Sequence, residues 1–478
     1  MPSRVLVIFV LGLTVCSVRP FFHHRRPRTW APNLTFGHRT LVHEWVQLEY
    51  DWPSEAEKQR AIASGSYIPE NSVISGIKLY KGRLFVTVPR WALGIPSTFN
   101  EVIVKNGRSV LRPFPSWEAQ DVHNCSALQF VMSMEIDPNT GLMYLIDNGR
   151  VNTLAATPGT KALNLCPHQI HIYDLERNRF AKTHTFPDSV AHYNSSYLND
   201  VMIDNQGYAF ISDAAGAGGL IVYDSRRDRS HRHEHPSMGA DPDPAARTFN
   251  INTGYSNETY FFDGPINGIA MSPSFDYLYY CALTGFNLYQ VPTSLIRDPN
   301  ADIGNAVRNV GRKFGQSGGI MHGEKNLYYS VHQRNAVYYW PRKGDEKRQG
   351  SSEKTVRLET QLELAQDTET FQFPDSYGWD DSGFLWLTTN RLFTYLDTEG
   401  GGLDFTGRRG ANFRIFRVYV GEQSYLKRGA PLQEPTQYKC SLLVILKKAK
   451  LACKSENIFS KVRCFIRAKR DPAIVYSC

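Results

Sequence analysis

The stretch SMEIDPNTGLMYLIDNGR, residues 133–150, holds two short apolar runs on either side of a polar turn. Met134 and Ile136 alternate with polar neighbours, as on one face of a strand. Asp137-Pro138-Asn139-Thr140-Gly141 turns the chain, and Leu142 to Ile146 form the second run. The same pattern returns as ISGIKLYKGRLFVTV (74–88), NDVMIDNQGYAFISD (199–213), NGIAMSPSFDYLYYC (267–281), SGGIMHGEKNLYYSV (317–331) and DSYGWDDSGFLWLTT (375–389). The turn positions Gly82, Gly141, Gly207, Asp276, Asn326 and Gly383 follow one another at intervals of 50 to 69 residues. Gly, Asn and Asp all tolerate the left-handed backbone of a tight hairpin.

A further β-prone segment follows several copies: QIHIYDLERNRF (169–180), GLIVYDSRRDRS (219–230), FNLYQVPTSLI (286–296), AVYYWPRKGDEK (336–347) and RLFTYLDTEG (391–400). Each unit thus holds about four strands, and a four-stranded sheet repeated radially is the blade of a β-propeller. The expected fold class is all-β, a six-bladed β-propeller. A pair of β-sandwiches would not repeat one hairpin six times, and β-helix rungs would be shorter than ~50 residues. HEWVQLEYDWP (43–53) against NFRIFRVYV (412–420) is the expected closure of the ring, which removes free sheet edges. Helical periodicity is confined to short pieces such as SEAEKQRAIASG (54–65).

Composition agrees: 42% hydrophobic and 21% charged residues allow a large core, and 25 Tyr with 26 Phe lean towards β structure. Residues 1–18 read as a signal peptide, with Arg4, the apolar run Val5 to Cys16 and then Ser17. That run is shorter than the roughly 20 residues of a spanning helix. The expected division is signal 1–18, basic arm 19–40, propeller 41–421 and a basic, cysteine-containing tail 422–478. From Gln423 onward, twelve Lys and Arg face three carboxylates, so the net +8 of the chain belongs to the tail. The remainder is near neutral, unlike a nucleic-acid-binding protein. A secretory route makes Asn33, Asn124, Asn194 and Asn257, each in an N-x-[ST] sequon, glycan acceptors. It also favours disulfides among Cys125, Cys166, Cys281, Cys440, Cys453, Cys464 and Cys478, an odd number.

LNDVMIDNQGYAFISDAAGAGGLIVYD, HNCSALQFVMSMEIDPNTGLMYLIDNGR, CPHQIHIYDL, LWLTTNRL, HEWVQLEYDWPSEAEKQRAI and ANFRIF together resemble the insect Yellow / major royal jelly family, over about Val42 to Val420. The resemblance implies a secreted propeller linked to cuticle pigmentation and melanin chemistry. Within that family some members bind biogenic amines, a subgroup is linked to dopachrome conversion, and others serve as nutrition. It also supports a Cys125–Cys166 pair. The tail has no such likeness. A basic extension for an acidic surface, a disulfide-tied cap and an alternative or misannotated final exon are its three readings. The family's pairing of Cys281 with a late cysteine then falls to the tail.

Propellers bind ligands at the axis, where the innermost strands begin. The aligned copies place Ser75, Glu135, Asn199, Asp200, Asn267, Ser317 and Asp375 there, with Asn390 and Arg391 near the same opening. The expected ligand residues are Asn199, Asp200, Asn267, Asp375, Asn390 and Arg391. The expected ligand is a small aromatic amine or catechol-derived molecule, its ammonium on a carboxylate and its ring near Phe262, Tyr377 or Trp379. If the protein is instead a dopachrome isomerase, Glu135, Asp200 and Asp375 are the candidate acid and base. A matrix protein with no selective ligand is the third reading. No cofactor, metal site, nucleic-acid module or membrane span is expected. GQSGG (315–319) lacks the strand–turn–helix setting of a nucleophile elbow, and HRHEH (231–235) reads as a polar connection.

Overall fold

A computed structural model describes residues 34–154, 160–397, 402–427 and 430–433. The expected signal peptide, the arm as far as residue 33, Asn33 and the tail cysteines lie outside the described residues. Six four-stranded antiparallel sheets form the blades of a propeller. From the inner strand outward, blade 1 is Ile77–Tyr80, Arg83–Thr87, Phe99–Lys105 and Arg108–Pro113; blade 2 is Val131–Ile136, Leu142–Asp147, Gln169–Asp174 and Arg179–Thr185. Blade 3 is Leu198–Ile203, Tyr208–Asp213, Gly219–Asp224 and Arg229–His233; blade 4 is Ile266–Met271, Tyr277–Ala282, Asn287–Pro292 and Arg308–Arg312. Blade 5 is Ile320–His322, Leu327–Val331, Ala336–Trp340 and Leu362–Gln366. Blade 6 is Phe373–Trp379, Phe384–Asn390, Phe413–Tyr419 and, from the other end of the chain, Arg39–Trp45.

That last pairing closes the ring. Arg39 stands opposite Val418 and Trp45 opposite Phe413. The closing strand therefore starts ahead of residues 43–53, and the rest of that stretch serves blade 1. Leu111 NH donates to Glu49 O (2.8 Å), Asp51 NH donates to Leu111 O (2.7 Å) and Trp45 Nε1 donates to Ser109 O (2.9 Å). The segment so stitches the last blade to the first. Each inner strand touches those of both neighbouring blades, all the way round the axis.

Strands such as Val131–Ile136 and Gly219–Asp224 are buried at every position, because both faces of a blade pack on other blades. Apolar side chains fill these layers: Phe85, Phe99, Phe114, Met134 and Leu145 between blades 1 and 2, and Phe210, Ile269, Leu278, Val337 and Leu385 further round. A fully buried side chain of this kind contributes about 1.5–3 kcal/mol.

Four expected turn glycines, Gly82, Gly141, Gly207 and Gly383, adopt positive φ. In blade 4 the left-handed residue is Phe275 (φ 62°), not Asp276. A bulky residue there is strained. The turn is held by Ser274 Oγ, which accepts from Asp276 NH (3.2 Å), and the Phe275 ring packs edge-on against Tyr425. Asn326 has no positive φ; the Glu422 carboxylate holds that turn by accepting from the amides of Lys325 (2.6 Å) and Asn326 (3.2 Å). Residues 391–400 were expected to be β, yet Leu392–Leu396 is a short helix whose first amide is capped by Asn390 Oδ1 (3.0 Å). HRHEH is not wholly a connection, since Arg229–His233 is the outer strand of blade 3. Helix Glu55–Ser64 forms as expected, capped by Ser54 and ended by Gly65 at φ 74°.

Cys125 and Cys166 are joined by a disulfide, 41 residues apart in sequence. Cys281 is buried and bonded to no described cysteine. Asn124, Asn194 and Asn257 are exposed, the last within a strand rather than a loop. The 41-residue separation makes loop-closure entropy worth about 4 kcal/mol. A Cys125→Ala/Cys166→Ala variant should lower the denaturant midpoint accordingly, and an unchanged midpoint would contradict that.

Candidate functional site

The six inner strands approach one another so closely that side chains are excluded at some positions. A β-carbon on Gly268 would collide with the Gly318 carbonyl, and one on Gly319 with the Asp375 carbonyl. Small residues in NG and SGG at the start of inner strands are thus a packing requirement. Around this hub the structure gathers most of the expected polar residues.

Asp200 joins three blades. Its carboxylate accepts from Ser133 Oγ of blade 2 (3.0 Å), from Ile269 NH of blade 4 (3.2 Å) and from Val201 NH of its own strand (2.9 Å). Burial pushes its pKa up to about 6, against the opposing pull of Lys78 and these donors. Asp375 accepts from Asn390 Nδ2 (3.0 Å). Burial pushes it to about 7, Ser75 and Asn390 pull it partly back, and the charge of Asp200 raises it further. Both residues are half-buried. Among the described residues, neither carboxylate has an ion-pair partner within 4 Å.

Glu135 differs. Its carboxylate takes Lys78 Nζ at 3.0 Å and Ile136 NH at 2.9 Å, with Lys78 and Glu135 both over nine-tenths buried. Lys78 was not among the expected residues, although a lysine inside the apolar run ISGIKLY is a visible signal. Its charge is matched by Glu135, which leaves the hub with an excess of negative charge from Asp200 and Asp375.

Asn199 is nearly fully buried, and Asn267 is half-buried with its carbonyl accepting from Ser212 Oγ (2.7 Å). Ser317 is fully buried and donates to Ser330 O (2.6 Å), which is a structural role. Asn390 donates to Ile74 O (2.9 Å), just ahead of the inner strand of blade 1, and to Asp375. Arg391 does not join the hub group: it bonds Asn412 Oδ1 (3.4 Å) and Arg409 O (2.8 Å). His332, also not anticipated, stacks on Phe373 (4.2 Å between centroids), and its Nε2 accepts from Gly318 NH (2.9 Å). Burial lowers its pKa to about 3, so it is a neutral acceptor.

A cavity of about 440 Å³ opens at the hairpin-turn end of the axis, lined by Lys78, Glu135, Tyr80, Trp379 and Trp386 together with Ser424 and Lys427. The volume falls in the range of ligand pockets. The chain after blade 6 forms part of its wall. Tyr425 is fully buried, its hydroxyl donating to Ile203 O (3.0 Å) and accepting from Ile203 NH (3.2 Å), and Lys427 pairs with Asp381 (2.5 Å). Of the expected aromatics, Trp379 reaches this cavity, Tyr377 is buried, and Phe262 packs at the edge of a cluster containing Phe249, Phe373 and Phe393. Among the described residues no three His, Cys, Asp or Glu side chains stand close enough to hold a metal.

The sequence profile of the major royal jelly protein family matches residues 129–420. The chain belongs to that family. Protein yellow of Drosophila erecta is 25% identical over 395 residues, covering 78% of this chain and 67% of that relative. Protein yellow of Drosophila guanche is 26% identical, covering 78% of this chain and 64% of its own length. This family member thus spans about two thirds of the length of these relatives. Among solved structures, a luciferin-regenerating enzyme covers 77% of the chain and 98% of its own at 13% identity and a TM-score of 0.43, too distant a likeness to argue from.

Two tests follow from the hub geometry. A carboxyl whose pKa is raised on folding destabilises the fold when ionised: the cost is absent below about pH 4, grows as pH rises towards 7, and is constant above. Asp375→Asn keeps the acceptor for Asn390 and removes the charge. It should raise the melting temperature at pH 8 by on the order of a few °C and leave it unchanged at pH 4. Equal effects at both values would contradict the assignment. Lys78→Met strands a buried carboxylate and should cost about 3 kcal/mol, most of it recovered in Lys78→Met/Glu135→Leu. Denaturant unfolding of the two variants checks this.

Proposed function

We propose that this family member is a secreted protein of the cuticle pigmentation and melanin pathway that holds a small aromatic amine or catechol-derived molecule at the propeller axis. The observation that carries the reading is the Asp200–Asp375 pair: two half-buried carboxylates at the hub, Asp200 bonded to blades 2 and 4 and Asp375 to Asn390 of its own blade, with no described cation bonded to either. An ammonium supplies the missing positive charge, and in a desolvated site that contact is stronger than in water. The cavity lined by Tyr80, Trp379 and Trp386 lies at the hairpin-turn end of the inner strands, and neither aspartate is part of its wall. The pigmentation role rests on the family and on relatives named yellow. Secretion is supported by the disulfide, which belongs to an oxidising compartment, and no described helix is long and apolar enough to cross a membrane.

A second reading, dopachrome isomerase, is favoured by one specific feature. Asp375 near 7 and Asp200 near 6 are poised to exchange protons at neutral pH, as a proton-moving isomerisation requires. One set of measurements separates the two. Calorimetry with dopamine and serotonin at pH 7.5 should give saturable heat. Affinity should fall roughly tenfold or more at pH 5.5, where the carboxyls are protonated while the amine keeps its charge. Asp200→Asn/Asp375→Asn should abolish the heat. Loss of dopachrome absorbance that wild type accelerates and Asp375→Asn does not would establish the isomerase instead. Neither heat nor turnover would overturn both readings.

A further inference from the structure

Two outer hairpins on neighbouring blades are built alike. In blade 2, DLERNR (174–179) joins Gln169–Asp174 to Arg179–Thr185; in blade 3, DSRRDR (224–229) joins Gly219–Asp224 to Arg229–His233. The leading aspartate holds each turn. Asp174 Oδ1 accepts from the amides of Glu176 (3.0 Å) and Arg177 (2.9 Å), and Asp224 Oδ1 from those of Arg226 (3.0 Å) and Arg227 (3.1 Å). The other carboxylate oxygen pairs with the arginine three residues on, Arg177 (2.7 Å) or Arg227 (2.9 Å). Asn178 and Asp228 take the left-handed position, and each accepts from a tyrosine hydroxyl, of Tyr173 (2.7 Å) and Tyr223 (2.8 Å). The side chains of the third and sixth residues take no part in either turn.

The two hairpins also meet. Lys182 Nζ of blade 2 donates to Ser225 O (2.7 Å), His184 Nε2 bonds Ser230 Oγ (3.0 Å), and the His184 and Tyr223 rings lie 4.6 Å apart. Most charges along this edge are matched. Glu176 is taken by Lys81 of blade 1 (2.7 Å). Arg232, further along the outer strand of blade 3, is taken by Asp213 (2.6 Å) and Glu234 (2.7 Å). Asp228 has Tyr223, His184 Nδ1 (3.2 Å) and, from further off, the charge of Lys182. Asp137, in the inner turn of blade 2, turns its carboxylate to Asn139 and Thr140. What is left over is positive. Arg179, Arg226 and Arg229 are exposed, and among the described residues none of them has a carboxylate within 4 Å. They stand together in a chain that is near neutral before its tail.

We propose that the joined hairpins of blades 2 and 3 are a docking surface for a linear sulfated polysaccharide, with Arg179, Arg226 and Arg229 on its anionic groups. A guanidinium fork meets the oxygens of an anionic group two at a time and is more weakly hydrated than an ammonium. A short arginine-rich run that is not neutralised by its own fold draws polyanions to it. The Cys125–Cys166 disulfide belongs to an oxidising compartment, where the linear polyanions a protein meets are sulfated glycans rather than nucleic acid. The surface shares no residue with the hub and is independent of the amine reading.

The probe is a size-defined heparin oligosaccharide, titrated into the full chain by calorimetry at physiological salt. Wild type should bind it saturably, with affinity falling as salt rises. Arg179→Gln/Arg226→Gln/Arg229→Gln should weaken binding roughly tenfold or more. Equal charge removed from exposed residues of blade 1, in Lys105→Gln/Arg108→Gln/Arg112→Gln, should change it less than about twofold. Chemically desulfated heparin should not bind. All six side chains are exposed, so both variants should keep the wild-type melting temperature. No binding by wild type, or equal affinity in the variant of blades 2 and 3, would overturn the proposal, the latter by assigning the binding to the basic tail. Equal losses in both variants would overturn it in favour of net charge alone. Capture by phosphatidylserine vesicles but not by heparin, with the same dependence on the three arginines, would overturn it in favour of a membrane surface.

Discussion

The antiparallel pairing of Arg39–Trp45 with Phe413–Tyr419 is the constraint on which the rest depends. Six twisted sheets with apolar faces on both sides bury those faces fully only if the sixth sheet meets the first. The N-terminal strand makes that meeting, and the contacts of Glu49 and Asp51 with Leu111 carry it into blade 1. No sheet edge is then left between the last blade and the first to recruit another chain. Closure also fixes the radius at the axis. The inner strands come close enough that Gly268 and Gly319 admit no β-carbon, and the polar residues beside them lose most of their water.

Desolvation at the hub acts differently on different carboxylates. Glu135 has a lysine at 3.0 Å, and the buried pair is internally neutral. Asp200 has hydrogen-bond donors from other blades and a lysine that acts on it only from further off, and burial outweighs them. Asp375, with an amide donor and a neighbouring negative charge, is pushed further. Each pKa unit corresponds to about 1.4 kcal/mol between protonation states, so the wheel holds its two carboxyls against a gradient supplied by apolar packing between blades. A region that stores charge in this way without neutralising it has the chemistry of a cation site or of a proton relay.

Much of the fold was legible because its signals are local. Alternating apolar residues, turn glycines and a recurring spacing survive in a single sequence, and they fixed the blade count and most strands. Where tertiary contacts overrule local preference, the reading failed. Phe275 takes the left-handed position because Tyr425, some 150 residues later, packs on its ring. Asn326 needs no left-handed backbone because a distant carboxylate, Glu422, holds its turn. The RLFTYL segment has the residues of a strand, but an Asn390 cap starts a helix. At the hub, register puts Asp200 and Asp375 towards the starts of their inner strands, while Glu135 stands near the end of its own and lines the cavity at the hairpin turns. It could not show that Lys78 neutralises one of them, nor that Arg391, one residue past Asn390, turns away from the hub. Side-chain direction after a strand end depends on the loop it meets, here the one carrying Arg409 and Asn412.

The most direct measurement is the titration of the hub carboxyls themselves. In protein labelled with ¹³C at the aspartate carboxyl carbon, two resonances should move through midpoints near pH 6 and pH 7, and the second should be missing in Asp375→Asn. Carboxyls that all ionise near pH 4, as on an open surface, would contradict an enclosed and uncompensated hub.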